Sequence, residues 1–252
     1  MVAVLVFWAL FIGGRLVPGT DLLARLSFLA PQLVSLVCLL SVVRRFEWGD
    51  EAGRPWFILT LGPVFLLLSR MMSFWGPQGF WVEGPLILSN LMNVAGMAAL
   101  LMVVRASPLI APLEGRTRTA VWVANAVAGV ATLVGLWVVV ERLLDVGVAD
   151  AVDWTRLAAV ILLLCDAAVF ALAVTLSATV LPMSGGLAAR PYLLLSASGC
   201  IFLVLDLVGM LVVEGWGYGG FGPWLSYTAL LAWALFSVGA LAQLHVLRRA
   251  QA

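Results

Sequence analysis

Eight long apolar segments restrict this chain to an integral membrane protein. They cover residues 2–17, 23–43, 56–75, 86–104, 119–140, 157–181, 191–213 and 225–247. A helix needs about 20 mostly apolar residues to cross a bilayer. Only 11% of the residues are charged, whereas a soluble domain carries about 25%. We therefore predict an all-α fold, a polytopic transmembrane bundle of eight helices that forms a single domain over residues 1–252.

The arginines predict the orientation of this bundle, because cytoplasmic loops carry an excess of positive charge. Four arginines fall on one predicted side. Nine fall on the other, namely Arg44, Arg45, Arg54, Arg105, Arg116, Arg118, Arg190, Arg248 and Arg249. Both termini are then cytoplasmic, which agrees with an even number of helices. The chain contains no lysine, which is typical of GC-rich bacteria, so we expect a multi-pass protein of the bacterial cytoplasmic (inner) membrane.

An internal repeat is indicated at a spacing of 136 residues. The stretch "GRPWFILTLGPVFLLLSR" begins at Gly53, and "ARPYLLLSASGCIFLVLD" begins at Ala189. Each is followed by a loop rich in aromatic residues and glycine, "FWGPQGFWVEGP" and "VEGWGYGGFGP". We predict two parallel four-helix halves, residues 1–117 and 118–252, related by a pseudo-twofold axis along the membrane normal. Alternatively, such helix entries and exits are general features of membrane proteins.

Three charged residues lie deep inside apolar segments: Arg70, Asp166 and Asp206. Each costs roughly 2.5–3.5 kcal/mol at a helix centre, so each is expected to face the bundle interior with a partner. Arg70 and Asp206 occupy equivalent positions in the two repeated stretches. If helices 3 and 7 face the pseudo-twofold axis, these two charges oppose and neutralise each other. Asp166 is a competing partner for Arg70.

The role of these three charges stays open between two readings. A buried ion pair could simply hold the two halves together, in which case Arg70 and Asp206 are structural. Alternatively, the three residues are candidates for ligand binding or ion coupling. Asp166 has the stronger claim if it is unpaired, because a carboxyl group in the lipid interior can accept and release a proton.

The two outward loops carry a cluster of aromatic residues. The main candidates are Trp75, Trp81, Trp216, Tyr218 and Trp224. An aromatic belt at the level of the lipid headgroups explains them. A second possibility is an aromatic entrance on the outer face that admits a lipid or a small hydrophobic molecule.

Several kinds of chemistry are excluded or disfavoured by residue type. The single histidine, His245, has no Cys/His/Glu cluster around it in the sequence, so we predict no metal site. We predict no cofactor, and the absence of lysine excludes a retinal Schiff base. The net charge of +1 gives no reason to expect a nucleic-acid partner. The intramembrane serines Ser196 and Ser198 lack a histidine base at their depth, so helix packing is favoured over catalysis.

The chain resembles the multi-helix membrane regions that precede GGDEF and EAL output domains in GC-rich bacteria. The similar elements are the entry "RPW" at Arg54–Trp56, with its counterpart at Arg190–Tyr192, the aspartate in "ILLLCDAAVFAL", and the last segment "WALFSVGALAQLHVLRR". The resemblance implies a sensory or scaffolding input module with a cytoplasmic C-terminus. No output domain follows in this sequence, so we expect either an excised module or a stand-alone relative that acts through a partner.

The function expected from the sequence is that of a non-enzymatic membrane sensor, scaffold or accessory subunit of a membrane complex. It would bind a lipidic or small ligand from the outer face and contact a protein partner at its cytoplasmic or intramembrane face. The alternative is a secondary transporter or permease that uses Asp166 as a proton or ion carrier. An intramembrane lipid enzyme is disfavoured because no nucleophile–base pair is evident.

Overall fold

Seven helices make up the part of the chain that the computed structural model describes, which is residues 21–47, 49–75, 80–106, 115–146, 154–180, 189–215 and 222–250. No strand is found in these ranges. In chain order the helices are α1 (Asp21–Val43), α2 (Arg54–Trp75), α3 (Phe80–Ala106), α4 (Gly115–Val146), α5 (Trp154–Val180), α6 (Arg190–Gly215) and α7 (Gly222–Ala250). The all-α class is confirmed, and seven of the eight predicted segments are helical. The predicted helix 2–17 lies outside the described residues.

Membrane character is supported by the length and hydropathy of these helices. Within the described residues, four stretches are long and apolar enough to cross a bilayer: Arg54–Ser73, Trp81–Ala106, Val160–Val180 and Leu231–Arg249. Three shorter apolar stretches lie at Leu29–Val43, Val121–Val134 and Arg190–Leu205. The chain is therefore a membrane protein with several apolar helices, and the eight-span arrangement remains a prediction.

Six of the helices form a closed ring. Helix α1 packs on α2, α2 on α3, α3 on α5, α5 on α6, α6 on α7, and α7 returns to α1. Helix α4 lies outside this ring and packs mainly on α5. In the ring order α1–α2–α3–α5–α6–α7, α2 and α6 are three places apart and so lie on opposite sides.

The apolar core lies at one end of the ring, where α1, α3, α5 and α7 finish and α2 and α6 begin. All six ring helices contribute to it, with residues such as Leu39, Leu59, Leu100, Leu176, Leu195 and Phe236. At about 25 cal/mol per Å² of buried apolar surface, side chains of this size each stabilise the packed state by roughly 1.5–3 kcal/mol when their alternative is water. Because the alternative here includes lipid, close packing rather than water exclusion holds the helices together.

Two glycines allow neighbouring helices to approach closely. A Cβ atom built on Gly96 of α3 would lie 2.5 Å from Cγ of Leu59 on α2. A Cβ atom built on Gly239 of α7 would lie 3.3 Å from Cγ of Leu195 on α6. Small residues at helix interfaces are the usual means of bringing helices together in membranes.

The connection between α1 and α2 is a compact polar turn. Gly49 has a φ of 102°, a backbone conformation that residues with a side chain rarely adopt. The carboxylate Oδ1 of Asp50 accepts a hydrogen bond from the backbone N–H of Ala52 at 2.9 Å. This turn holds Arg44 and Arg54, which follow α1 and start α2, at the core end of the bundle.

Candidate functional site

Asp166 is a buried carboxyl group near the middle of α5. Only 5% of its surface is exposed, and the flanking Cys165 and Ala167 are buried as well. The expectation that Asp166 faces the protein interior is therefore confirmed. Asp166 also takes part in a polar or electrostatic interaction within the protein. A carboxylate at this depth is costly without such contacts, so its presence in an apolar helix calls for an explanation.

The segment of α5 that follows Asp166 packs against α6. The hydroxyl of Ser196 donates a hydrogen bond to the backbone carbonyl oxygen of Ala173 at 2.7 Å. Val169 approaches Gly199, where an added Cβ atom would lie 3.0 Å from Val169 Cγ1. Val169 and Ala173 follow Asp166 by three and seven residues, which places all three on one face of α5. Asp166 therefore lies on the face of α5 that, one and two turns further along, is packed against α6.

Two buried amide side chains were missed by the sequence argument, which considered charges only. Gln32 on α1 is 5% exposed, and its Oε1 atom accepts no hydrogen bond within the described part of the chain. The same holds for Oδ1 of Asn93 on α3, which points at the backbone of Gly62 on α2. Buried polar groups normally have a hydrogen-bond partner. An amide in an apolar segment is visible in the sequence and would have identified both residues.

The levels of these groups along the bundle follow from one interhelical contact. The hydroxyls of Ser35 on α1 and Ser237 on α7 are 2.8 Å apart, just outside the apolar core. Gln32 lies three residues further from the core than Ser35, which is about 4.5 Å along the helix. Gln32 therefore belongs to a polar level that begins where the core ends. Asp166 lies ten residues before Leu176, a core residue of α5, or about 15 Å away from it.

Arg70 does not occupy the position expected from the sequence. Its side chain is exposed, whereas we expected it to face the bundle interior. The carboxylate that interacts with it electrostatically is Glu83 on α3. Arg70 lies five residues before Trp75, the last residue of α2, and a long arginine side chain near a helix end can extend to the polar boundary. The local α2–α3 hairpin therefore supplies the opposite charge.

Asp206 lies on α6, and its side chain is outside the described part of the structure. Its helix is on the far side of the ring from α2, and α2 and α6 are not among the helix pairs that pack extensively in the described part. Asp206 and Asp166 lie instead on the adjacent helices α6 and α5. The proposed pairing of Arg70 with Asp206 therefore has no support from the helix arrangement.

The aromatic candidates are only partly described. Trp81 begins α3, and 62% of its surface is exposed, as an aromatic belt or an entrance for a ligand would require. Trp75 and Trp224 lie in α2 and α7, and their side chains are outside the described part. Trp216 and Tyr218 are outside the described residues altogether.

The intramembrane serines join helices, as the sequence predicted. Besides the Ser196 bond, Ser198 donates to the carbonyl oxygen of Ala232 on α7 at 2.8 Å. Ser69 of α2 donates to the carbonyl oxygen of Val82 on α3 at 2.8 Å. Each hydroxyl thus ties neighbouring helices together by bonding to the backbone of the next one, and none of these bonds is part of a nucleophile–base pair.

Metal-ligating groups are dispersed in the described part of the chain. No three His, Cys, Asp or Glu side chains come together there in a way that could hold a metal ion. Cys38 and Cys165 are buried and Cys200 is half-buried, and all three are free thiols. They pack as small apolar side chains.

Comparison of the chain with known proteins gives no assignment. No protein-family model matches it, and neither a curated protein nor a solved structure does.

Proposed function

We propose that this chain is a non-enzymatic integral membrane protein that acts as a sensor or scaffold, or as an accessory subunit of a membrane complex. In this proposal it binds a small or lipidic ligand from its outer face and passes the resulting change in helix packing to a protein partner. The observation that carries the proposal is the buried carboxyl group of Asp166, which lies beyond the apolar core on a helix that contacts α3, α4 and α6.

The distribution of apolar and polar side chains supports binding from one side. The core closes one end of the ring, and the buried amide of Gln32 follows directly beyond it. Asp166 is buried further from the core. A ligand that donates hydrogen bonds or carries a positive charge would satisfy acceptors of this kind. Such a ligand would enter from the end opposite to the core.

An eight-helix bundle of two parallel halves is part of the proposal. Helix α1 would correspond to α5, α2 to α6 and α3 to α7, and α4 would correspond to the predicted helix 2–17. Exchanging the two halves in this way turns the contact of α1 with α2 into that of α5 with α6. It turns α2–α3 into α6–α7 and α3–α5 into α7–α1. All six contacts of the ring occur in the structure.

Residue contacts also support the duplication. Gly96 lies against Leu59, and Gly239 lies against Leu195; Leu195 follows Leu59 by 136 residues, and Gly239 follows Gly96 by 143.

A second contact obeys the same two spacings. A Cβ atom on Gly62 would lie 3.5 Å from the carbonyl oxygen of Ser89, and Ser198 donates to the carbonyl oxygen of Ala232. Ser198 follows Gly62 by 136 residues, and Ala232 follows Ser89 by 143. Two independent contacts with common spacings are the expected result of duplication.

We further propose that the core end faces the cytoplasm of a bacterium and that both termini lie there. Exposed arginines concentrate at this end: Arg44, Arg45, Arg54, Arg105, Arg190, Arg248 and Arg249. Such an excess of arginine next to apolar helices is typical of the cytoplasmic side. The entrance for the ligand would then be on the outer face, beside the exposed Trp81.

The proposal can be tested with the purified protein in a mild detergent. Mass spectrometry would identify lipids and proteins that remain bound after purification. The midpoint of thermal unfolding would then be measured with and without the total polar lipid extract of the expression host. A ligand that binds only the folded state raises this midpoint. We expect a rise for the wild type and a smaller rise for Asp166→Asn, and an equal rise for both would argue against a site at Asp166.

A secondary transporter is the second candidate function. The observation that favours it is the ring of contacts repeated in two halves, because transporters with parallel repeats bind substrate near the bilayer midplane where the repeats meet. Reconstituted vesicles containing a pH-sensitive dye would separate the two candidates. Proton flux that requires Asp166 indicates a transporter, whereas ligand-induced stabilisation without flux indicates a sensor or scaffold.

A further inference from the structure

Four exposed arginines lie together where α1 and α7 end. Arg44 and Arg45 directly follow α1, and Arg248 and Arg249 lie in the last turn of α7. We refer to these four residues as the seam arginines, because they lie at one end of the contact between α1 and α7.

The register of α1 and α7 brings the seam arginines to one level. Ser35 and Ser237 are 2.8 Å apart across the α1–α7 contact, and both helices run from there into the same apolar core. Arg44 follows Ser35 by nine residues and Arg248 follows Ser237 by eleven. At about 1.5 Å per residue, their positions along the bundle differ by roughly 3 Å. Arginine side chains easily span such a difference.

The equivalent contact on the other side of the ring lacks this concentration of charge. There α3 packs on α5, and Arg105 is exposed in the last turn of α3. The last turn of α5 has no basic residue, and the sequence from 181 to 188 contains no charged residue. Orientation by positive charge requires arginines at this end of the bundle, but it does not require four of them at one of the two contacts.

An exposed apolar strip on α7 leads up to the seam arginines. Val238, Leu241, His245 and Arg248 follow one another at intervals of three and four residues, which places them on one face of the helix. Val238 is 46% exposed and Leu241 is 48% exposed, and His245 and Arg248 are exposed as well. This face is apolar along the helix and basic at its end, which is the pattern that a membrane lipid with an anionic headgroup matches.

The geometry points to a binding site for an anionic phospholipid on the outer surface of the α1–α7 contact. The headgroup phosphate would lie between Arg44 of α1 and Arg248 and Arg249 of α7, with an acyl chain along Val238 and Leu241. Guanidinium groups bind phosphate oxygens through paired hydrogen bonds. Free phosphate would use only the basic end of this surface, so the apolar strip favours a lipid. The site is at the core end and does not depend on the ligand proposed for Asp166.

Charge-matched variants test this site in the full-length protein. The seam variant is Arg44→Gln, Arg248→Gln and Arg249→Gln. The control variant is Arg54→Gln, Arg105→Gln and Arg190→Gln, which removes three exposed arginines from the same end of the bundle. Each protein would be incorporated into lipid nanodiscs that contain phosphatidylglycerol and phosphatidylcholine. Native mass spectrometry would then count the lipids retained after release.

We expect the seam variant to lose its preference for phosphatidylglycerol by about tenfold or more and the control variant to keep it, since each arginine near an anionic headgroup contributes about 1 kcal/mol. The triple Arg→Lys seam variant should keep most of the preference, which excludes simple misfolding as the cause of the loss. Excess inorganic phosphate should not displace the retained lipid. Equal retention by all variants, equal loss in the seam and control variants, or displacement by phosphate would overturn the proposal.

Discussion

Gly96 of α3 lies directly against Leu59 of α2. A Cβ atom on Gly96 would come within 2.5 Å of Leu59 Cγ and 3.1 Å of the Leu59 backbone nitrogen. Real Cβ atoms hardly ever approach so closely, and neither a backbone nitrogen nor a Cγ atom moves without shifting the helix. The crossing of α2 and α3, which also positions Glu83 beside Arg70, therefore depends on a residue without a side chain.

Replacing Gly96 with alanine should destabilise the bundle by about 1–3 kcal/mol, because the added methyl group overpacks the α2–α3 contact. The thermal unfolding midpoint in detergent measures the effect. Gly129→Ala on α4 is the matched control, since a Cβ atom there meets nothing within 4 Å. That change should be neutral or slightly stabilising, because alanine is the better helix former. Similar losses in both variants would contradict the packing described for Gly96.

Ser198→Ala should weaken the α6–α7 contact. The Ser198 hydroxyl is buried and bonds to the carbonyl oxygen of Ala232 on the neighbouring helix. Interhelical hydrogen bonds in membrane proteins contribute about 0.6 kcal/mol on average, so a loss of that order is expected in unfolding by denaturing detergent. Ser41→Ala is the control, because Ser41 bonds only to the Val37 carbonyl of its own helix. An unchanged stability for Ser198→Ala would show that the bond contributes nothing to packing.

Arg70 should be energetically coupled to Glu83 rather than to Asp206. Both Arg70 and Glu83 lie near the ends of α2 and α3 that face each other across the hairpin, whereas Asp206 is on a helix at the opposite side of the ring. A double-mutant cycle with Arg70→Gln and Glu83→Gln should give a coupling of about 0.5–1 kcal/mol. The cycle with Arg70→Gln and Asp206→Asn should give a value near zero. A larger coupling in the second cycle would restore the pairing expected from the repeat.

Hydropathy alone was sufficient to predict the helices. The segments 23–43, 56–75 and 191–213 agree with α1, α2 and α6 to within two residues at each end. Helices α4 and α5 extend further, because the apolar window marks the lipid-facing part of a helix and helices continue beyond it. The helix 119–140, for example, extends to Gly115–Val146.

Side-chain positions were harder to predict than helices. The expected burial of Asp166 was correct, since a carboxyl group in mid-helix has few alternatives. Arg70 was expected to be buried as well, but its long side chain is close enough to the helix end to be exposed. The partner of Arg70 also depended on helix arrangement: equal depth does not bring two residues together when their helices lie on opposite sides of a ring. Glu83 could have been found from the hairpin, because both residues lie within a few positions of the same turn.

Asp166→Asn is the most informative single substitution. Asparagine has nearly the same shape as aspartate, so the packing of the Asp166 face of α5 should persist and the thermal unfolding midpoint should change little. The charge and the ability to bind and release a proton would be lost, so stabilisation by the host lipid extract, or proton flux in vesicles, should decrease strongly. Glu47→Gln, which removes an exposed carboxylate, should leave both measurements unchanged. If Asp166→Asn instead unfolds the protein while Asp166→Leu folds well and responds to the extract, then Asp166 has no part in binding and the ligand site must be sought elsewhere in the ring.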